Sequence, residues 1–133
     1  MVEFVLSCTE ISKIGKLPNL EVLKLYGSAF QGKQGVVEDG EFLNLKFLEL
    51  DRVDIVFWNA SDYPFPSLQR LLVKECWQLD EVPSSLGDIT TLEMIEVHWC
   101  SCSAEKLVKQ IQEERNEMGN YGLKVLIKPL WMY

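Results

Sequence analysis

Apolar residues recur along this chain in one phrase. It reads Leu20-x-x-Leu23-x-Leu25, Leu45-x-x-Leu48-x-Leu50, Leu68-x-x-Leu71-x-Val73 and Leu92-x-x-Ile95-x-Val97, with a shorter copy at Phe4-x-Leu6. The four full copies start 25, 23 and 24 residues apart. Three residues beyond the last apolar position stand Ser28, Val53, Cys76 and Cys100. The second half of each phrase alternates apolar and variable positions, which is the two-residue period of a strand with one buried face. It predicts short strands near Phe4–Leu6, Val22–Tyr26, Lys46–Asp51, Arg70–Lys74 and Met94–His98, with Leu23, Leu48, Leu71 and Ile95 stacked in one buried column.

A strand phrase returning every 23 to 25 residues is the signature of leucine-rich repeats. The expected fold is α/β: a right-handed βα-type solenoid whose inner face is a parallel sheet of about five or six strands, one per repeat, with irregular convex segments. The repeats fall near residues 1–19, 20–44, 45–67, 68–91 and 92–133 of a single leucine-rich-repeat domain covering 1–133. Among the convex segments, Gly27 to Gly40 is polar with four glycines and reads as a flexible loop. Asp62-Tyr63-Pro64-Phe65-Pro66-Ser67 reads as a proline-marked turn, and Val82 to Ile89 as a rigid turn followed by a short helical turn.

The last repeat changes period. Ala104, Leu107, Val108, Ile111 and Met118 have helical spacing, with Ser103 at the N-cap position, Glu105 in the first turn and Gly119-Asn120 at the end. Leu123–Ile127 then reads as a closing strand stopped by Pro129. Helix and strand together form an expected C-terminal cap over 103–133, a natural end to the stack. No such cap precedes Phe4, so the expectation is that a segment N-terminal to Met1 has been removed.

The variable positions of the strands line up on the inner, concave face. One column runs Val22, Phe47, Arg70, Met94; the next Lys24, Glu49, Leu72, Glu96; the third Tyr26, Asp51, Lys74, His98. Apolar and aromatic residues interleaved with charges suit a protein-binding surface.

Composition narrows the partner. The net charge is −7, from 13 basic and 20 acidic residues, which argues against nucleic acid, whose phosphates need a basic stripe. It also disfavours an anionic membrane, and no apolar run approaches the roughly 20 residues of a membrane span. The N-terminus has neither the basic region nor the apolar stretch of a signal peptide. Four cysteines, Cys8, Cys76, Cys100 and Cys102, are too few for a disulfide scaffold. Cys76 and Cys100 share one repeat slot, where a small thiol turned inward packs against the neighbouring coil. Reduced thiols point to the cytoplasm.

The chemical motifs are incomplete. Gly27-Ser28-Ala29-Phe30-Gln31-Gly32-Lys33-Gln34 approaches a phosphate-binding loop, but Gln34 replaces the Ser or Thr that holds magnesium and no helical period follows. His98, Cys100 and Cys102, with Cys76 one coil away, lack zinc spacing, and alternation sends His98 to the opposite face from Cys100. Nothing spaces His98 and a thiol as a nucleophile and base. Glu113, Glu114 and Glu117 read as a solvated helix face. Asn59-Ala60-Ser61 is a glycosylation sequon that matters only in a secreted chain. No catalytic, cofactor or metal residue is assigned.

Several stretches resemble a particular family. They are Leu17-Pro18-Asn19-Leu20-Glu21-Val22-Leu23-Lys24-Leu25, Phe42-Leu43-Asn44-Leu45-Lys46-Phe47-Leu48, Phe65-Pro66-Ser67-Leu68-Gln69-Arg70-Leu71, Cys76-Trp77-Gln78-Leu79-Asp80-Glu81-Val82-Pro83 and Gly87-Asp88-Ile89-Thr90-Thr91-Leu92. All are similar to the C-terminal repeats of plant intracellular immune receptors of the coiled-coil class, which carry a nucleotide-binding domain, and in particular resemble late-blight-resistance-like proteins of the nightshade family. Between Ile11 and Leu17 the chain runs a few residues shorter than that family's usual repeat. The resemblance implies a non-catalytic module that binds a pathogen effector, a guarded host protein or the receptor's own nucleotide-binding domain, and restrains that domain meanwhile. It implies no cofactor here, because the nucleotide is held by a domain outside this chain, and no small-molecule substrate. The alternative is a fragment of an extracellular leucine-rich-repeat receptor or inhibitor, whose Gly-x-Ile-Pro phrases only Val82-Pro83 echoes.

Overall fold

The computed structural model describes residues 2–4, 19–26, 34–37, 42–53, 57–60, 65–80, 82, 84–119 and 122–128. Six strands form one parallel sheet in the order β1 (Val2–Phe4), β2 (Val22–Tyr26), β4 (Phe47–Asp51), β6 (Arg70–Lys74), β7 (Met94–His98) and β8 (Lys124–Lys128). Two more strands, β3 (Gln34–Val37) and β5 (Phe57–Ala60), pair in parallel as a separate small sheet. Among the described residues a 3₁₀ turn covers Ser84–Asp88 and an α-helix, α1, covers Cys102–Glu117. The architecture is α/β and compatible with stacked leucine-rich repeats.

Parallel neighbours cannot be joined by a tight turn, so each strand is followed by a long return segment before the next. The phrase leucines fill the space between sheet and return segment. Leu23, Leu48, Leu71 and Ile95 are all buried and are consecutive register partners across β2, β4, β6 and β7. Leu25, Leu50, Val73 and Val97 make a second buried column, and Leu20, Leu45, Leu68, Leu92 and Leu123 a third. Each such side chain contributes about 2 kcal/mol by leaving water. Deeper in, Phe42 and Phe65 are buried with ring centroids 5.5 Å apart.

The corners repeat as regularly as the core. Arg52, Glu75 and Trp99 directly follow β4, β6 and β7 and all adopt positive φ, 56°, 51° and 58°. Each then sends its backbone N–H to the carbonyl ending the next strand: Arg52 to Lys74 at 2.8 Å, Glu75 to His98 at 2.8 Å and Trp99 to Lys128 at 2.7 Å. Left-handed backbone is costly for these residue types, and the same hydrogen bond offsets it at each of these three corners. One residue later stand Val53, Cys76 and Cys100, all buried. Cys76 Sγ lies 3.7 Å from the Leu50 carbonyl oxygen and 3.5 Å from that of Lys74, and Cys100 Sγ lies 3.5 Å from those of Val73 and His98, so each thiol packs against the backbone of its own strand and the preceding one, in the packing role expected for this slot.

Several expectations are corrected. The register pairs Val2 with Leu23 and Phe4 with Leu25, so the first strand is Val2–Phe4 rather than Phe4–Leu6. A slip of two residues leaves every side chain on the same face, so alternation alone cannot detect it. The stretch Gly27 to Gly40, read as a loop, contains β3, and β5 was not foreseen; their four-residue pairing depends on two coils lying side by side. The helix is capped by Ser101 rather than Ser103. Ser101 has extended backbone (φ −67°, ψ 157°), and its Oγ accepts from the Ala104 N–H at 3.1 Å while donating to the Leu79 carbonyl. The buried stripe of α1 is Ala104, Val108, Ile111 and Arg115, with Leu107 partly buried, and Met118 is exposed. Gly119 has φ 82° and follows the end of the helix, as expected. The closing strand is Lys124–Lys128, one residue later than predicted.

Candidate functional site, the open face of the sheet

The sheet buries one face against its return segments and leaves the other open. The register brings the predicted columns together as expected. Val22, Phe47, Arg70 and Met94 are successive partners; so are Lys24, Glu49, Leu72 and Glu96; and so are Tyr26, Asp51, Lys74 and His98. Most of these side chains are half-buried by one another, as on any closely packed sheet surface, and Arg70 is exposed. The Tyr26 side chain lies outside the described residues.

Asp51 departs from its expected place. It is buried rather than presented on the face, because Arg52 turns at the corner and sets its Nε 3.2 Å from Asp51 Oδ1 and 3.7 Å from Glu75 Oε2. The carboxylate therefore belongs to the corner.

Arg70 organises the middle of the face. Its guanidinium carbon lies 5.9 Å from the Phe47 ring centroid, and its Nη2 is 3.6 Å from Glu96 Oε2 and 3.7 Å from Met94 Sδ. Contacts to β4 and to two positions of β7 hold a long side chain in one orientation. The exposed ion pair adds little stability by itself. Its consequence is a planar, five-donor group presented in a fixed place.

Sequence reasoning assigned no face residues beyond β7. The structure extends all three columns onto β8: Met94 pairs with Lys124, Glu96 with Leu126 and His98 with Lys128. Lys124, Leu126 and Lys128 are exposed, Leu126 at 45%. Their alternation with Val125 and Ile127 was the available signal.

His98 sits at the rim, its ring 5.7 Å from that of Trp99 in an edge-on arrangement. Its Nε2 is buried without a hydrogen-bond partner. Burial holds the imidazole below its ordinary pKa; Glu96 opposes the shift, while Lys128 and Lys74 add to it. Below about pH 6.5 the unfolded chain therefore takes the proton first, and His98 subtracts stability as pH falls further, until the folded imidazole also titrates. Urea midpoints measured from about pH 7.5 to pH 5 should fall less steeply for His98→Asn than for the unchanged chain. Parallel curves would show that His98 is not burdened by its surroundings.

Cys76 and Cys100 are buried free thiols and Cys102 is an exposed one; Cys8 lies outside the described residues. The neighbouring Cys100 thiol, reinforced by burial, pushes the Cys76 thiol far up. Among the described residues no cluster of three or more His, Cys, Asp or Glu side chains has the arrangement of a metal site. No helix among them is long and apolar enough to cross a membrane. Residues 27–33 of the glycine-rich stretch lie outside the described residues; Asn59 and Ala60 of the sequon lie in β5, and Ser61 lies outside them.

Comparison with known proteins adds a strong similarity. The chain is 42% identical over 122 residues to the late blight resistance protein homolog R1B-11 of Solanum demissum, covering 88% of this chain and 10% of that protein. It is 35% identical over 122 residues to homolog R1B-13 of the same plant, covering 89% and 11%. Homolog R1B-16 is 41% identical over 102 residues, covering 76% and 8%. The chain thus spans about a tenth of the length of these relatives. No family model matches it.

Proposed function

The chain belongs with the late-blight-resistance-like proteins, and from that premise we propose that it is the leucine-rich-repeat recognition and restraining module of an intracellular plant disease-resistance receptor. In this reading residues 1–133 are one repeat domain, a right-handed solenoid with the open sheet as its concave face and the helix and last strand as its cap. It is not an enzyme; it works by binding protein. The open face contacts the receptor's own nucleotide-binding core in the resting state. A pathogen protein or guarded host protein that binds the released form better shifts the balance toward activity.

The observation that carries the reading is the in-register face itself. Five strands from β2 to β8 present Phe47, Arg70, Leu72, Met94 and Leu126 among charges. That mixture of apolar anchors and a held arginine is where binding energy concentrates in protein interfaces.

Arg70→Glu tests it. Placed in a full-length receptor carrying this segment, the change should alter either resting activity or ligand response. Circular dichroism of the chain itself should stay native, because Arg70 is exposed. Glu113→Lys, on the exposed side of α1, should alter neither. If the helix change moves signalling and the face change does not, the working surface is the convex or C-terminal side.

A further inference from the structure

The half of the open face formed by β6, β7 and β8 is arranged as a three-by-three grid. Its rows are Arg70, Met94, Lys124; Leu72, Glu96, Leu126; and Lys74, His98, Lys128. The four corners are cations and the centre is the only carboxylate. Strand spacing of about 4.8 Å and a rise of about 3.3 Å per residue set the backbone positions of the corners roughly 10 Å by 13 Å apart. Glu96 is engaged by Arg70 at 3.6 Å. Among the described residues, Lys74, Lys124 and Lys128 have no carboxylate within ion-pair distance. A surplus of positive charge is thus gathered on one patch of a chain whose net charge is −7.

Lysines on an edge strand often serve to block edge-to-edge pairing. That explains Lys124 and Lys128 taken alone. It does not explain Arg70 and Lys74, which lie two strands in and at the matching ends.

Resting on the reading of this face as a protein-binding surface, we infer that the β6–β8 patch docks a protein segment in which acidic side chains flank an apolar one. The acids meet the corner cations and the apolar group seats on Leu72 and Leu126. Charge complementarity of this kind raises the encounter rate and selects the partner. The middle row separates a protein from a phosphate polymer. A polyphosphate would lay charge across two leucines and the Glu96 carboxylate, whereas a protein segment can place its charges at the corners only.

The test is fluorescence anisotropy with the 133-residue chain and three probes: a labelled twelve-residue peptide alternating glutamate and leucine, a heparin fragment, and vesicles containing a phosphoinositide. The peptide should bind, with affinity falling as salt rises. Lys74→Gln combined with Lys128→Gln should weaken it about tenfold. Lys106→Gln combined with Lys109→Gln, a charge-matched pair exposed on α1 away from the open face, should change it less than about twofold. Circular dichroism checks that each variant is folded. Peptide binding kept in the Lys74→Gln, Lys128→Gln variant, or weakened as much in the α1 variant, would overturn the patch assignment. Heparin or phosphoinositide bound through the lysines, with the peptide ignored, would overturn the partner class. Binding of none of the probes would overturn the inference and leave the broader reading to the Arg70→Glu receptor test.

Discussion

Leu48→Asp is expected to abolish folding of the chain at neutral pH. Leu48 is 3% exposed and lies between its register partners Leu23 and Leu71, 1% exposed each, in the middle of the sheet. The substitution removes the transfer energy of a leucine and places a carboxylate among leucines with no donor to meet it. A cost of about 5 kcal/mol is of the order of the whole stability of such a domain. Far-UV circular dichroism should show an unfolded or aggregated chain with no cooperative thermal transition. Lys109→Ala, on the exposed side of α1, should move the melting temperature by no more than about 2 °C. A folded Leu48→Asp chain with a cooperative transition would mean that the buried and open faces of the sheet are wrongly assigned.

The second large effect is expected at Arg115. This residue occupies the buried stripe of α1, where helical periodicity calls for an apolar side chain, and it is 4% exposed. Its Nε donates to the Gly87 carbonyl at 3.0 Å, its Nη1 to that of Leu92 at 2.8 Å, and its Nη2 to that of Ile89. Three carbonyls of the segment running from the 3₁₀ turn to β7 are thereby satisfied by one guanidinium. Burial draws its pKa down, with Asp88 opposing, yet a guanidinium stays charged. Arg115→Met keeps much of the apolar stem and removes every donor. Charged hydrogen bonds of this kind and the carbonyls they leave unpaired are worth about 3 kcal/mol together. The urea midpoint should fall accordingly, and Arg115→Lys should recover only part of it, because one ammonium cannot reach all three oxygens. A loss below about 1 kcal/mol for Arg115→Met would show that the carbonyls find other partners and that the guanidinium does not hold the helix to the sheet.

Both predictions concern burial, but only one was legible beforehand. Leu48 is announced by its place in the phrase: period two fixes which side of a strand is buried, and a return every 23 to 25 residues stacks like positions into columns. The same logic located β2, β6 and β7 to the residue, brought the three open-face columns into line, and put Cys76 and Cys100 at one inward slot. Arg115 carried no such announcement. A charged residue at helical spacing reads as solvated, and only the nearness of three carbonyls contributed by another segment makes its burial tolerable.

What the sequence determined by itself was everything that depends on a local period: the repeat, the buried columns, the strand faces and the family resemblance carried by the same residues. What the tertiary structure decided depends on neighbours distant in the chain. The β3–β5 pair exists because two return segments lie side by side. Ser101 rather than Ser103 caps α1 because the Leu79 carbonyl receives its hydroxyl. Asp51 is covered because Arg52 turns back on it, at a positive φ held by the Lys74 carbonyl. The cationic frame arises because β8 joins β7 in the register that sets Lys124 and Lys128 two strands from Arg70 and Lys74. A hydrogen bond or a charge pattern between coils has no period along the chain, so it becomes visible only when the coils are laid against each other.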